Sequence, residues 1–191
     1  MALLSAVPLA LVFLAWVADP SQGDEVCPIV PFESAREAEL ISKLQAAPDA
    51  RAARGFNLEL WALWTDAPDA HAQDLLDQAM ARIRMGDLET AIEGLNVLVA
   101  YCPTFAEGYN QRAFAHYLKH DFGTAIMDLD AALELSPRHI GALSGKALTL
   151  IGLGRDGEAL SALRKALALN PWLSERALLD DLERRTGSAD L

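Results

Sequence analysis

The sequence predicts an all-α fold, a right-handed α-solenoid of stacked helix-turn-helix repeats. Three observations lead to this prediction: a repeat of 34 residues, apolar residues at helical spacing within each unit, and a proline at the end of each unit. The chain has 191 residues, of which 52% are hydrophobic and 23% are charged. That composition is typical of a globular domain and excludes a disordered chain.

The charge and the cysteine count exclude several classes of protein. Lys and Arg number 16 against 27 Asp and Glu, which gives a formal net charge of −11. A nucleic-acid-binding protein usually carries a basic face, so no nucleic-acid partner is expected. Two cysteines are too few for a four-cysteine zinc site or for a disulfide-rich scaffold.

Residues 1–23 are predicted to be a cleaved secretory signal peptide. The run Ala2–Ala18 has no charged residue, and Ser21 and Gly23 place small residues at positions −3 and −1 of a cut before Asp24. No Lys or Arg precedes the run, so an uncleaved membrane anchor is the alternative. The protein is therefore expected to be exported to the periplasm, with no membrane insertion beyond this segment.

Residues 24–71 are expected to form a tail and a degenerate pair of helices. The two helical windows are Glu33–Ala47 and Asp49–Thr65. Trp61 and Trp64 are expected to pack this pair onto the unit that follows. The sequence leaves open whether the pair extends the array or folds across it.

Three repeated units and a capping segment follow, at residues 72–105, 106–139, 140–173 and 174–191. Nine residues keep their places in the three units: Ala79, Ala113 and Ala147; Ala91, Ala125 and Ala159; Pro103, Pro137 and Pro171. Each unit divides into two amphipathic windows of about fourteen residues, separated by turn-forming residues such as Gly86-Asp87. Each unit is therefore expected to be a pair of helices, and the last segment a polar capping helix.

This pattern resembles the tetratricopeptide repeat (TPR), in which large apolar, small and closing proline residues recur every 34 residues. The middle unit matches it best, with Tyr109, Ala113, Ala125 and Pro137 at the expected places. The resemblance covers 102 residues, from 72 to 173. It implies a non-catalytic scaffold for protein–protein interaction in the bacterial cell envelope.

The resemblance also implies a partner-binding groove lined by the first helix of each unit. It assigns twelve residues to the groove: Leu76, Met80, Ile83, Glu107, Asn110, Gln111, Phe114, Tyr117, Leu118, Ser144, Leu148 and Ile151. It adds four more on the same faces: Gln73, Arg84, Gly141 and Gly152. The apolar centre of this groove suits a helix or an extended peptide. The alternative is a self-associating structural protein, such as a homodimer, with an internally filled groove.

One branch of the family is not expected. Its members bind a partner's C-terminal carboxylate with Lys, Arg and Asn side chains from the three repeats. The matching places hold Leu76, Met80, Gln111, Gly141 and Gly145, none of which is basic.

Cys27 and Cys102 are expected to form a disulfide, because an exported protein folds in an oxidising compartment. The bridge would close a loop spanning 75 positions (102 minus 27). Chain entropy puts the stabilisation by such a loop at roughly 4 kcal/mol. Two free thiols are the alternative, and no Cys-x-x-Cys pair indicates a redox role.

The histidines do not predict a metal site. His116 and His120 have a spacing that could hold a metal ion, but the repeat register places His116 between helices and His120 at a turn. His71 and His139 lie at unit boundaries and have no evident partner. No motif for catalysis or for phosphate binding is present, so no cofactor and no enzymatic activity are expected.

Overall fold

The computed structural model describes residues 26–187. Over these residues the chain forms nine α-helices and no strand, which confirms the predicted all-α solenoid. The helices are α1 (Ser34–Gln45), α2 (Ala50–Thr65), α3 (Ala70–Met85), α4 (Leu88–Tyr101), α5 (Ala106–Leu118), α6 (Phe122–Leu135), α7 (Ile140–Gly152), α8 (Asp156–Leu169) and α9 (Leu179–Gly187). The predicted signal segment, residues 1–23, lies outside the described residues. Among the described helices, none combines the length and the apolar character that a membrane crossing requires.

Aspartates begin four of the helices. The side chains of Asp49, Asp69, Asp87 and Asp121 each accept a hydrogen bond from the backbone N–H three residues on. These bonds satisfy donors that a helix start leaves unpaired. At α3, two hydrogen bonds lower the pKa of the Asp69 carboxyl. The larger effect comes from the backbone N–H of Ala72 and the smaller one from the hydroxyl of Tyr101.

The turn inside each repeat requires a residue in the left-handed conformation. Gly86 and Gly154 have φ angles of 78° and 70°, and His120 takes the same place in the middle repeat with φ of 60°. Glycine adopts this conformation without a steric penalty, whereas histidine does not. His120 is thus a turn residue, and its ring packs edge-on against Phe122.

Small residues let the two helices of each repeat approach closely. The six alanines of the repeat register are all buried: Ala79, Ala91, Ala113, Ala125, Ala147 and Ala159. They allow α3 to pack on α4, α5 on α6, and α7 on α8. In the middle repeat, Arg112 donates two hydrogen bonds to Asp128 at 2.6 and 2.8 Å, and these bonds raise the pKa of the Arg112 guanidinium.

The predicted capping helix is divided into two parts. Residues Ser174–Leu178 form a 3-10 helix, and α9 begins only at Leu179. Leu182 of α9 is fully buried against the apolar cluster of α7 and α8. The end of the array is therefore covered, as stacked repeats require.

The helix pair α1–α2 folds back and packs against the third repeat. α1 lies against α8, where Gln45 donates a hydrogen bond to the carbonyl of Ala168. The indole of Trp172 donates to the carbonyl of Leu44. One apolar cluster joins the two parts: Leu40, Ile41, Leu44, Ala47, Ala53, Leu60 and Trp64 with Ile140, Leu169, Trp172 and Leu173. The two hydrogen bonds join residues that are 123 and 128 positions apart in the sequence.

The position of Trp64 corrects a prediction from the sequence. The side chain does not pack onto the first repeat, because its ring stacks on His139 with the centroids 4.3 Å apart. His139 stands directly before α7, the first helix of the third repeat. α2 therefore lies against α5 and the start of α7 instead of continuing the solenoid.

A disulfide joins Cys27 to Cys102, with the Cα atoms 5.2 Å apart. Cys102 lies at the end of α4 and is fully buried, so the bridge fixes the segment before α1 to the first repeat. The segment itself exposes four large apolar side chains, Val26, Ile29, Val30 and Phe32. The α1–α2 pair is thus connected to the first repeat at both of its ends.

We expect the double substitution Cys27→Ser/Cys102→Ser to lower the free energy of unfolding by about 2–4 kcal/mol, because the unfolded chain loses a long covalent loop. Urea unfolding followed by circular dichroism measures the change. The wild-type protein in reducing buffer is the control, and it should unfold at the midpoint of the double variant. An unchanged midpoint in both would contradict a bridge that restrains the unfolded chain.

Candidate functional site

A cavity of about 400 Å³ lies on the face made by the first helices of the three repeats, α3, α5 and α7. The side chain of Trp61 from α2 forms part of its wall, so the folded-back helix contributes to the site. The wall is mostly apolar and open to solvent on one side. Its residues are Trp61, Met80, Ile83, Arg84, Asn110, Gln111, Ala113, Phe114, Tyr117, Leu129, Gly141, Gly145, Leu148 and Thr149.

The structure brings seven of the twelve assigned groove residues together around this cavity. They are Met80, Ile83, Asn110, Gln111, Phe114, Tyr117 and Leu148. Of the four additional residues, Arg84 and Gly141 line the cavity and Gln73 does not. Gly152 lies against α6, where an added Cβ atom would come within 2.7 Å of the Phe122 ring.

The other five assigned residues do not line the cavity. Leu76 is fully buried in the α3–α4 core, and Ile151 packs against the core of the third repeat. Ser144 donates a hydrogen bond to a backbone carbonyl one turn earlier in α7, and Leu118 is exposed outside the cavity. Glu107 is fully buried beneath the wall and bonded to other side chains. The place of a residue in the repeat predicts its angle around the helix axis but not how deeply its side chain is buried.

The repeat register did not place five of the wall residues in the groove: Trp61, Ala113, Leu129, Gly145 and Thr149. Leu129 comes from α6, a second helix, and reaches the cavity where Gly145 has no side chain. An added Cβ atom at Gly145 would lie 3.2 Å from Leu129. Gly141 and Gly145 of α7 were therefore the signal in the sequence for this part of the wall, because their missing side chains let other residues approach. The position of Trp61 depends on the long-range docking of α2.

Glu107 organises the polar side of the cavity. Its carboxylate accepts hydrogen bonds from the amide groups of Asn110 at 3.1 Å and Gln111 at 2.6 Å. It also contacts Nε2 of His139 at 2.7 Å. The amide oxygens of Asn110 and Gln111 form no hydrogen bond within residues 26–187, and both residues line the cavity. They are therefore available as acceptors.

His139 connects this carboxylate to the start of α7. Its Nδ1 accepts a hydrogen bond from the backbone N–H of Ala142, so the ring caps the helix. The Nε2 atom therefore carries the hydrogen and donates a hydrogen bond to the Glu107 carboxylate. The sequence gave His139 no partner, and the structure corrects this with three: Glu107, Ala142 and the stacked ring of Trp64.

A second buried carboxylate connects α1 to the same place. Glu37 accepts a hydrogen bond from the indole of Trp64 at 3.1 Å and pairs with Arg138 at 2.7 Å. Arg138 directly precedes His139, so α1, α2 and the start of α7 are held by one set of contacts. The position of Trp61 in the cavity wall, one helical turn before Trp64, follows from this anchoring.

The remaining histidines discussed above, His116 and His71, contact neighbouring side chains. Nδ1 of His116 lies 3.2 Å from the Asp121 carboxylate, and the bond from Thr124 is the largest cause of the lowered pKa of Asp121. The ring of His71 packs edge-on against Tyr101. No group of three metal-ligating side chains occurs in the part of the chain that the structure describes.

Comparison with known proteins identifies the repeat. The family model of the tetratricopeptide repeat matches residues 140–171, which form the third unit. The first and second units have the same 34-residue register and the same helix pair. The chain therefore contains a tetratricopeptide repeat in its third unit, and its fold is that of TPR domains.

Two curated relatives are also named after the tetratricopeptide repeat. A TPR repeat-containing protein of Rhizobium etli is 29% identical over 133 residues, which are 70% of this chain and 65% of the relative. Tetratricopeptide repeat protein 36 of Mus musculus is 32% identical over 114 residues, which are 57% of this chain and 61% of the relative. The chain thus spans less than two thirds of the length of either.

A solved TPR structure has the same fold. The first TPR of Spaghetti (RPAP3), bound to the HSP90 peptide SRMEEVD, superposes with a TM-score of 0.60 at 21% identity. The likeness covers 62% of this chain and 96% of that one. At this identity it concerns the fold alone.

We expect Glu107→Ala to lower the free energy of unfolding by about 3 kcal/mol or more, because it leaves three buried donors without an acceptor. Urea unfolding measures the loss. Glu134→Ala is the matched control, since Glu134 is an exposed glutamate on α6, and its cost should stay within about 0.5 kcal/mol. Equal effects of the two substitutions would contradict the organising role of Glu107.

Proposed function

We propose that this TPR protein is a non-catalytic interaction scaffold whose cavity binds a large apolar side chain from a partner's peptide segment. The proposal rests on one observation above all, that the cavity has an apolar wall with aromatic side chains exposed at its opening. Trp61 is 39% exposed and Phe114 is 46% exposed. Aromatic residues with this exposure beside a pocket are characteristic of binding surfaces.

The size and the polar groups of the cavity support a peptide ligand. A volume of about 400 Å³ lies within the range of pockets that bind ligands, and it accommodates one or two large side chains. The amide oxygens of Asn110 and Gln111 supply acceptors for backbone N–H groups of an extended or helical segment. The neighbour bound to an HSP90 peptide has the same fold, which supports the same kind of ligand.

A self-associating structural protein is the second candidate. It is favoured by the docking of α1–α2, because this pair already covers one edge of the face that the first helices form. A second copy of the chain would then occupy the opening that remains. The exposed side chains of Trp61 and Phe114 could contact either a partner peptide or a second copy of the chain. The oligomeric state of the protein distinguishes these two candidates.

We further propose that the protein is exported and acts in the bacterial cell envelope. The uncharged run Ala2–Ala18 and the pairing of Cys27 with Cys102 both support export. The acidic character of the chain supports a role in solution, since anionic membrane surfaces repel it.

We expect Trp61→Ala and Phe114→Ala each to weaken peptide binding at least about tenfold, because each removes a hot-spot aromatic side chain from the opening. The probe is a fluorescent peptide obtained by selection of random 12-residue peptides on the wild-type protein. Fluorescence anisotropy gives the dissociation constants, and circular dichroism reports helicity, which should not change.

Met127→Ala is the matched control for this measurement. Met127 is 66% exposed on α6 and lies outside the cavity wall, so its replacement should leave the affinity unchanged. Unchanged affinity in the Trp61 and Phe114 variants would exclude this cavity as the binding site.

We expect the protein isolated from its native cells to have an intact mass that begins at Asp24. Its two thiols should resist alkylation until a reductant is added, because a disulfide blocks them. Mass spectrometry before and after reduction measures both properties. A full-length mass with two reactive thiols would contradict export and place the protein at the membrane or in the cytosol.

A further inference from the structure

The charge around the cavity differs from the charge of the whole chain. The sequence has a net charge of −11, but Arg84 is the one charged residue in the cavity wall as the described residues form it. Arg84 is exposed and makes no ion pair within residues 26–187. Asp77, seven residues before Arg84 on α3, accepts a hydrogen bond from Gln73 and lies outside the wall.

Unpaired cations are uncommon elsewhere in this chain. Of the 16 Lys and Arg residues, eleven form an ion pair with a carboxylate in the described structure. The five that do not are Arg51, Arg54, Arg84, Lys165 and Arg176. Since acids outnumber bases, a cation left unpaired at a site is available to a ligand.

A second unpaired cation lies on the exposed face of α2. Arg54 precedes Trp61 by seven residues, which is two helical turns and a distance of about 10 Å along the axis. Leu58 lies between them and is also exposed. The exposed face of α2 therefore carries an apolar stripe, Leu58 and Trp61, with Arg54 at one end, and Trp61 shares the cavity wall with Arg84.

We propose that the partner segment is acidic as well as apolar, with a large apolar anchor and an Asp or Glu within about one helical turn of it. This inference rests on the proposed function and adds the partner's chemical class. The anchor enters the cavity beside Trp61 and Phe114. The carboxylate pairs with Arg84, and a further acid reaches Arg54. A basic segment would place its charge against the same arginines, so the site selects against it.

Peptide selection with charge-reversed protein tests this directly. Random 12-residue peptides displayed on phage are selected on the wild-type protein and on the variant Arg54→Glu/Arg84→Glu. We expect the wild type to enrich Asp and Glu within four residues of a Leu, Phe, Met or Trp anchor. The variant should enrich Lys and Arg at the same positions, because its site carries negative instead of positive side chains.

The variant Lys165→Glu/Arg176→Glu is the matched control. It changes the net charge by the same amount, but neither residue lines the cavity. It should select the same acidic peptides as the wild type. A synthetic acidic peptide should bind Arg84→Glu about 2- to 20-fold more weakly than the wild type and bind the control equally well.

Each other outcome has a distinct meaning. If the selected peptides require Trp61 and Phe114 but show no acidic enrichment, the acidic partner is overturned and the proposed function stands. If the peptides bind without these aromatic side chains, both the acidic partner and the proposed function of the cavity are overturned. If sedimentation shows a dimer that Phe114→Ala dissociates, the occupant is a second copy of the chain and the acidic partner is overturned.

Discussion

The structure depends on one buried carboxylate. Glu107 is excluded from water, and a buried carboxylate is tolerated only where donors surround it. Two of its donors, Asn110 and Gln111, come from its own helix α5 and thereby become fixed in the cavity wall. The third, His139, comes from the start of α7 and caps that helix with its other ring nitrogen. A single side chain thus joins two repeats and orients the polar groups that face a ligand.

The same histidine determines where the N-terminal helices lie. Its outer face is covered by Trp64, whose indole is held in turn by Glu37 of α1. The α1–α2 pair therefore belongs to the binding site and is more than an extension of the repeats, because it places Trp61 in the cavity wall. An open groove along the array would admit a long helix. Closure of one edge leaves a pocket for a few side chains, which favours a short anchored segment as the partner.

The regular part of the molecule follows from the sequence because its causes are local. The 34-residue spacing of alanines and prolines predicts helices α3 to α8, and the turn at His120 follows from the same register. Two properties of the site are not local. Leu76 and Ile151 have the angular position of groove residues, but their depth depends on how neighbouring helices pack. The docking of α2 depends on complementarity between surfaces more than 70 residues apart, such as Trp64 with His139. No periodicity in the sequence encodes such a contact.

The shape of the cavity depends on α2 packing at the start of the third repeat and not on the first repeat. Nuclear Overhauser spectroscopy on the isotope-labelled protein tests it most directly, since it detects protons within about 5 Å of each other. We expect cross-peaks between the ring protons of Trp64 and His139, and between the indole of Trp172 and Leu44. Cross-peaks from Trp64 to side chains of α3, with none to His139, would contradict it. The helix pair would then continue the solenoid, and the cavity would lose one of its walls.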